Sequence, residues 1–385
     1  MTSTTTTATQ IPITKPYLGE EEIAAVADAI RSGWIAQGPM VAKFERHIAE
    51  RLGVEHVVAT SNCTTSLHIA MICSGVGPGD EVIVPSFTFI ATANAVVYAG
   101  ATPVFVDIDP RTYNMDPERV EAAITPRTKA IVPVDQIGLA AELDPILEIA
   151  QRHGLSVIED AAPALGATYR GRPVGAISPV TCFSFHPRKS ITTGEGGAIT
   201  TNDAEIAARA RVLRSHGASV SDLARHNASH VTIEQYEELG YNYRMTDIQA
   251  ALGIVQLGKL DTILAQRRHL AQRYNQQLAA IPGVSTPFAP DYAPHTYQSY
   301  CVRLDPEQCA PRDDVMERML RLGIATRRGV MAIHEEPYYV SRFGRVSLPE
   351  TEAATRHTIL LPLFYEMTEE QQDRVIEAMR TTVRA

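Results

Sequence analysis

Residues 130–162, AIVPVDQIGLAAELDPILEIAQRHGLSVIEDAA, decide the fold. Ala130–Val134 and Ser156–Glu159 read as short apolar strands, and Asp144–His153 between them reads as a helix. Strand, helix, strand is the repeating unit of a parallel sheet, whose strands are near-continuous apolar runs because helices cover both faces. The same alternation extends in both directions. Toward the N-terminus, strands are expected at His56–Thr60, Val82–Val84 and Val104–Asp107, with helices at Ser66–Cys73, Ile90–Tyr98 and Pro117–Ile124. Toward the C-terminus, strands are expected at Thr181–Phe185 and Ala198–Thr200, followed by a long helical run, Asp247–Leu278.

The punctuation Ile281-Pro282-Gly283 marks a change of pattern. Beyond it, Tyr297–Leu304 reads as a strand and Arg312–Leu322 as a helix, and Thr368 is placed to cap a closing helix that runs to about Thr381. The expected organisation is a threonine-rich disordered tail over residues 1–12, a large α/β domain over 13–282 and a smaller C-terminal domain over 283–385.

Composition narrows the function classes. The chain has 385 residues, 45% hydrophobic and 21% charged, with a net charge of −9. That balance disfavours nucleic acid, which selects a basic stripe. Cys63, Cys73, Cys182, Cys301 and Cys309 are widely spaced with no CxxC or CxxH pair, so no zinc site is expected, and free thiols fit a reducing, cytoplasmic setting. The first ten residues lack the cationic and apolar segments of a signal peptide. Val82–Val106 has no charged residue, but Pro85, Asn94, Gly100 and Pro103 interrupt it, and it reads as buried strand, helix and strand rather than a membrane span.

Lysine is scarce: Lys15, Lys43, Lys129, Lys189 and Lys259 are the only five. Lys15 follows the tail, Lys129 precedes a strand, and Lys43 and Lys259 lie in helical runs, where they are expected to face water. Lys189 sits in FSFHPRKSITTGEGG (183–197), where a strand gives way to a Pro- and Gly-rich turn. Desolvation and the neighbouring Arg188 would lower its pKa and favour the nucleophilic amine; a plain surface lysine fits the same local context. Asp160 ends a strand, where ligands of parallel sheets bind. It is either a partner for a cationic ring nitrogen or a cap for a following helix. Thr60–Ser66 (TSNCTTS) lies between a strand and a helix, and reads as a phosphate-binding turn or as ordinary capping.

Together these segments resemble the sugar-aminotransferase family often named DegT/DnrJ/StrS. The resemblance runs from KPYLG (15–19) through SGWIAQGP (32–39), PSFTFIATANAV (85–96), EDAA (159–162), the Lys189 segment and GYNYRMTDIQAALG (240–253) to the last helix. It implies a fold-type-I enzyme dependent on pyridoxal 5′-phosphate (PLP): a large domain with a mostly parallel seven-stranded sheet, a small C-terminal α+β domain, and a homodimer with shared active sites. Lys189 resembles the lysine that forms the Schiff base, Asp160 the partner of the pyridine nitrogen, and Phe89 the aromatic residue stacked on the ring, which would otherwise be core. Thr64, Thr65 and Ser184 match phosphate contacts, and Cys63 stands in the same turn where glycine is common. Asn242 matches an asparagine reaching the phosphate from the other subunit; alone it reads as a turn residue before the helix. His186, Arg188 and His334 are candidate substrate contacts, each with a core or surface alternative.

Two further departures surround the mouth of the site. Pro163 follows EDAA where the family has His, Gln or Glu, and VDQIG (134–138) replaces VHLYG. The expected reaction passes an amine from glutamate to a nucleotide-linked 4-keto-6-deoxyhexose, giving an amino sugar and 2-oxoglutarate. A C3-keto sugar or keto-cyclitol is the alternative acceptor. Dehydratases of this family carry histidine at the lysine position, which Lys189 argues against, and a non-catalytic regulator with the same fold is the rival of another class.

Overall fold

The computed structural model describes residues 10–220, 225–226, 228–231 and 233–384. The central sheet contains β1 (His56–Thr60), β2 (Glu81–Pro85), β3 (Thr102–Val106), β4 (Thr128–Ile131), β5 (Ser156–Asp160), β8 (Val180–Ser184) and β9 (Gly197–Thr201), with a small hairpin of β6 (Thr168–Tyr169) and β7 (Arg172–Pro173) inserted before β8. The strand order is β1-β9-β8-β5-β4-β2-β3. Only β9 runs against its neighbours β1 and β8. The sheet is therefore seven-stranded and mostly parallel. Side-chain alternation explains its burial on both faces. Along β1, Val57 and Ala59 join one core while Val58 joins another.

Helices cover these faces. Cys63–Cys73 and Ala204–Leu213 pack against Val58, Cys182 and Ile199. On the opposite face, helix Pro39–Leu52 and the first half of helix Asp247–Leu278 pack against Val57, Ala59, Phe183 and Ala198. The Val82–Val106 segment is strand, helix and strand as expected, with Val82, Ile83 and Val84 fully buried.

The long helix is started by Thr246, whose hydroxyl accepts the Gln249 N–H in a capping box. Leu257, Leu260 and Leu264 lie in the large core, whereas Leu270, Tyr274 and Leu278 lie in the C-terminal core. Among the described residues it is the one helix long and apolar enough to cross a membrane, and its apolar stripe is consumed by these two cores.

The C-terminal sheet has the antiparallel order β10 (Val284–Ser285), β11 (Tyr300–Leu304), β13 (Thr358–Leu361), β12 (Arg327–Arg328). Helix Glu369–Thr382 closes the chain behind Thr368, whose hydroxyl accepts the Gln371 N–H. Three expectations are corrected. Residues 1–9 of the expected tail lie outside the described residues, and residues 10–12 are not tail: Ile11 is fully buried in the C-terminal core, and its backbone pairs with Gly323 and Ala325. The strand expected from Tyr297 begins at Tyr300, because Tyr297 adopts φ 51°. Lys259 does not face water; it makes ion pairs with Glu21 and the buried Glu22.

Candidate active site

Asp160 at the carboxyl end of β5 and Lys189 in the loop after β8 both act electrostatically on Cys63 in the first turn of helix Cys63–Cys73. Asp160 ends β5 and is 3% exposed. The Thr92 hydroxyl donates to its Oδ2 (2.7 Å) and the Ala162 N–H to its Oδ1 (3.1 Å). Turns, not a helix, follow Asp160, so the capping reading falls away. Burial raises its carboxyl above the ordinary range, opposed by the Thr92 and Ala162 hydrogen bonds and by Lys189.

Lys189 lies in the loop that joins β8 to β9. The loop is pinned at its base by Phe185 N–H to Gly196 O (2.9 Å) and Thr193 N–H to Phe185 O (2.9 Å), and in its middle by Lys189 N–H to His186 O (2.8 Å). Gly253 of the long helix lets the loop lie close: a Cβ there would stand 2.8 Å from Thr193 Cγ2. Among the described residues the Lys189 amine has no ion pair or hydrogen bond. Burial lowers its pKa, Cys63 and Asp160 act against that, and Arg188 reinforces it. This is the environment of a desolvated amine, not of a surface lysine.

Helix Cys63–Cys73 starts one turn earlier than expected. Asn62 caps it by accepting the Thr65 N–H at Oδ1 (3.0 Å). The Thr65 hydroxyl donates to Asn62 O (2.7 Å) and so takes part in the cap. Thr64 keeps a free hydroxyl, and among the described residues the Cys63 and Thr64 N–H groups have no partner. Cys63 is buried, and burial together with Asp160 pushes its thiol well above the usual range against the pull of Lys189. Ser184, at the end of β8, accepts the His186 N–H (3.4 Å) and retains its own proton to donate. Ser184 is registered opposite Gly197. A Cβ at Gly197 would come within 2.6 Å of the Asn62 and Cys63 backbone, so only glycine lets β9, the partner of β8, lie this close to the turn.

The other expected residues divide. Phe89 is 64% exposed, which removes the core alternative. Asn242 is exposed on an extended segment bridged to Ser215, and the helix starts at Asp247, so it is not the turn residue before that helix. His186 is half-buried and accepts the Arg188 N–H at Nδ1 (3.2 Å), and burial lowers its pKa. Arg188 is exposed; partial burial and Arg327 of β12 lower its pKa. His334 is corrected to a packing residue. It is 3% exposed, with Nδ1 2.7 Å from Ser86 Oγ and Nε2 turned toward Glu352 at 3.6 Å, so both polar edges face protein. His334, Glu335 and Glu352 are close enough together to suit a metal, but the Arg356 guanidinium already bonds both carboxylates (2.8 and 3.3 Å).

Sequence reading missed Thr92, although Thr88 and Thr92 stand one helical turn apart within the quoted 85–96 segment and their hydroxyls are 3.1 Å apart. It also missed Gln136, whose Nε2 donates to Phe87 O and ties the altered VDQIG turn to the Phe89 loop.

A desolvated lysine, a buried carboxylate, a helix turn with free N–H groups and an exposed aromatic are a donor set that fits an aromatic, phosphorylated cofactor with a basic ring nitrogen. Relatives agree. The spore coat polysaccharide biosynthesis protein SpsC of Bacillus subtilis is 41% identical over 97% of both chains. The crystal structure of S. venezuelae DesV in complex with a ketimine intermediate is similar at TM-score 0.89 and 36% identity, covering 97% of this chain and 98% of that one. Spr1654 of Streptococcus pneumoniae in its PLP form is similar at TM-score 0.89 and 28% identity over 97% and 98%. A sequence profile of the DegT/DnrJ/EryC1/StrS aminotransferases matches residues 16–380, and the chain belongs to that family of PLP-dependent sugar aminotransferases.

Proposed function

We propose that the enzyme transfers an amine from glutamate to a nucleotide-linked 4-keto-6-deoxyhexose. The observation that carries the nucleotide-linked acceptor is the pair Arg188 and Arg327. These two cations act on each other, and neither has an ion-pair partner among the described residues. Arg188 adjoins Lys189, so an anionic group such as a diphosphate would be attracted to the edge of the site. The likeness to SpsC, a spore coat polysaccharide biosynthesis protein, supports a sugar acceptor.

In this reading Lys189 holds the cofactor covalently and moves the proton at the reacting carbon, which needs an amine kept near neutral. Asp160 holds a proton at the ring nitrogen. The Cys63 and Thr64 N–H groups and the Thr64 and Ser184 hydroxyls bind the phosphate at the positive end of the helix. When bound, the cofactor supplies an electron sink. The exposed Asn242 would reach the site of a second copy, which makes the working unit a homodimer. The free cysteines support a cytoplasmic setting.

The test is incubation with glutamate and a panel of nucleotide-linked 4-keto and 3-keto sugars, free keto sugars and keto-cyclitols, read by mass spectrometry. Amination of the nucleotide-linked 4-keto sugar is expected; amination of a keto-cyclitol or free sugar alone would replace this reading. Phe89→Ala should leave the melting temperature almost unchanged because the ring is exposed. The same change should weaken PLP binding about threefold to tenfold, the worth of one aromatic stack, measured by cofactor titration.

A further inference from the structure

Two carboxylic side chains lie behind Asp160 that the proposed mechanism does not use. Asp135 belongs to the VDQIG turn after β4, and Glu159 precedes Asp160 on β5. Both are fully buried. Asp135 Oδ1 accepts the Ala141 N–H (2.8 Å), and Glu159 Oε2 accepts the Thr181 hydroxyl (2.9 Å). Each keeps one buried oxygen, Asp135 Oδ2 and Glu159 Oε1, without a donor bonded to it. Val134 pairs with Asp160 in parallel, so Asp135 and Glu159, one residue to either side, project from the same face of the sheet, and each acts electrostatically on the other.

Among the described residues neither carboxyl has a salt bridge. The groups around them are Thr181 of β8, Ser178 just before β8, the Ala141 N–H and the Asp160 carboxyl on β5. Two ionised carboxylates facing each other in a low-dielectric interior are repulsive, and burial raises both further. One proton between them removes the repulsion and satisfies both orphan oxygens.

We propose that Asp135 and Glu159 share one proton, carried on Asp135 Oδ2 and donated to Glu159 Oε1, and that this bond positions Asp160. The backbone makes the link. Asp135 N–H donates to Asp160 O (3.1 Å), Asp160 N–H donates to Pro133 O (2.9 Å), and Val134 bridges Asp160 in parallel. The side-chain bond therefore clamps the two strand ends from which Asp160 projects. It also caps the negative charge of the cluster, leaving Asp160 to meet a cation. Asp135 is thus a positioning residue, which gives a structural content to the replacement of VHLYG by VDQIG. The positioning claim rests on Asp160 as the partner of the cofactor nitrogen; the shared proton does not.

The experiment has two arms. Infrared spectra of the whole protein, with and without PLP, at about pH 8 should show the carbonyl stretch of a protonated carboxyl, far above the ordinary aspartate range. It should shift on carboxyl-13C aspartate labelling and disappear in Asp135→Asn. Absence of an aspartate-dependent band in the wild type would overturn the shared proton, whether or not the variant folds. Thermal stability gives an independent measurement. The folded pair binds a proton that the unfolded chain releases above the ordinary aspartate range, so wild-type stability falls as pH rises. Apo Asp135→Asn, which keeps a donor to Glu159 without that proton, should melt above the wild type, by a margin that widens from about pH 5 to about pH 8 with up to tenfold in the folding equilibrium per pH unit. A margin that does not change with pH would overturn the proposal.

For positioning, Asp135→Asn should hold PLP within about twofold of wild type, whereas Asp135→Ala, which leaves Glu159 unpaired, should weaken it by about tenfold. Equal affinity in the two variants would overturn the positioning role. Failure of the Asp160 reading would show instead as full activity in Asp160→Asn, with the infrared band intact.

Discussion

Lys189→Ala should lose transamination by at least about 10³-fold, the upper part of the range for losing a positioned acid–base group. The protein should still bind PLP through the Cys63–Thr64 turn and Asp160, but releasably, without the visible absorbance of a lysine-linked cofactor, and gel filtration should strip it. Folding should not suffer. Burial lowers the Lys189 pKa, so its charged form is disfavoured in the fold, and the amine makes no ion pair among the described residues. Unfolded chains therefore bind more protons at this position than folded ones. The wild-type apoprotein gains stability from Lys189 as pH rises toward the ordinary lysine range and is penalised below it. Lys189→Ala should therefore melt at or above the wild-type temperature near neutral pH. Lys189→Arg separates charge from proton transfer, because a guanidinium stays protonated. It should be as inactive as the alanine variant. Partial recovery of Lys189→Ala turnover by a small exogenous amine would assign the loss to the missing amine. Turnover within tenfold of wild type in either variant would refute the assignment of Lys189.

What the sequence revealed followed the range of the interactions involved. The sheet was legible because each strand is a short apolar run ended by local turn chemistry, and both boundaries of the long helix were read correctly from Asp247 and Leu278. Asp160 was legible because it ends such a run. Lys189 needed more: its loop alone suited a surface lysine equally well. Its scarcity, the quoted segments and the carboxylate read on another strand separated the two readings. Misreadings arose where distant partners decide the outcome. Ile11 looked like tail because its partners are Gly323 and Ala325. His334 looked available because Ser86, 248 positions away, is what occupies it. The start of the helix expected at Ser66 was misplaced for a local reason: Asn62 is a strong cap, and accepting it as the cap moves the helix start to Cys63. The pairing proposed for Asp135 and Glu159 joins the turn after β4 to β5 across a whole helix, and no periodicity of either segment records it.

Asp160→Asn should separate stability from catalysis in opposite directions. The substitution is nearly isosteric, and the side-chain oxygen can still accept the Ala162 N–H or the Thr92 hydroxyl. It deletes a negative charge from a buried position whose carboxyl is raised by burial. A group raised in this way holds a proton in the fold that the unfolded chain has released. Its stabilising share is complete below the ordinary aspartate range and is lost as pH rises through the folded value. Apo Asp160→Asn should thus melt at or above the wild type at neutral pH, with the margin growing from about pH 4 upward. Bound PLP reverses the order, because the wild-type carboxylate then has a cationic partner in a dry site and the amide does not. Wild type should be stabilised by saturating PLP more than Asp160→Asn. Activity should fall roughly 10²- to 10³-fold, the size of one preorganised electrostatic contact to a developing charge. Melting curves of both proteins, each with and without PLP, test the argument without any substrate. A carboxylate that only braces Thr92 and Ala162 would show the same melting difference in both states, and that result would leave Asp160 a structural residue at the end of its strand.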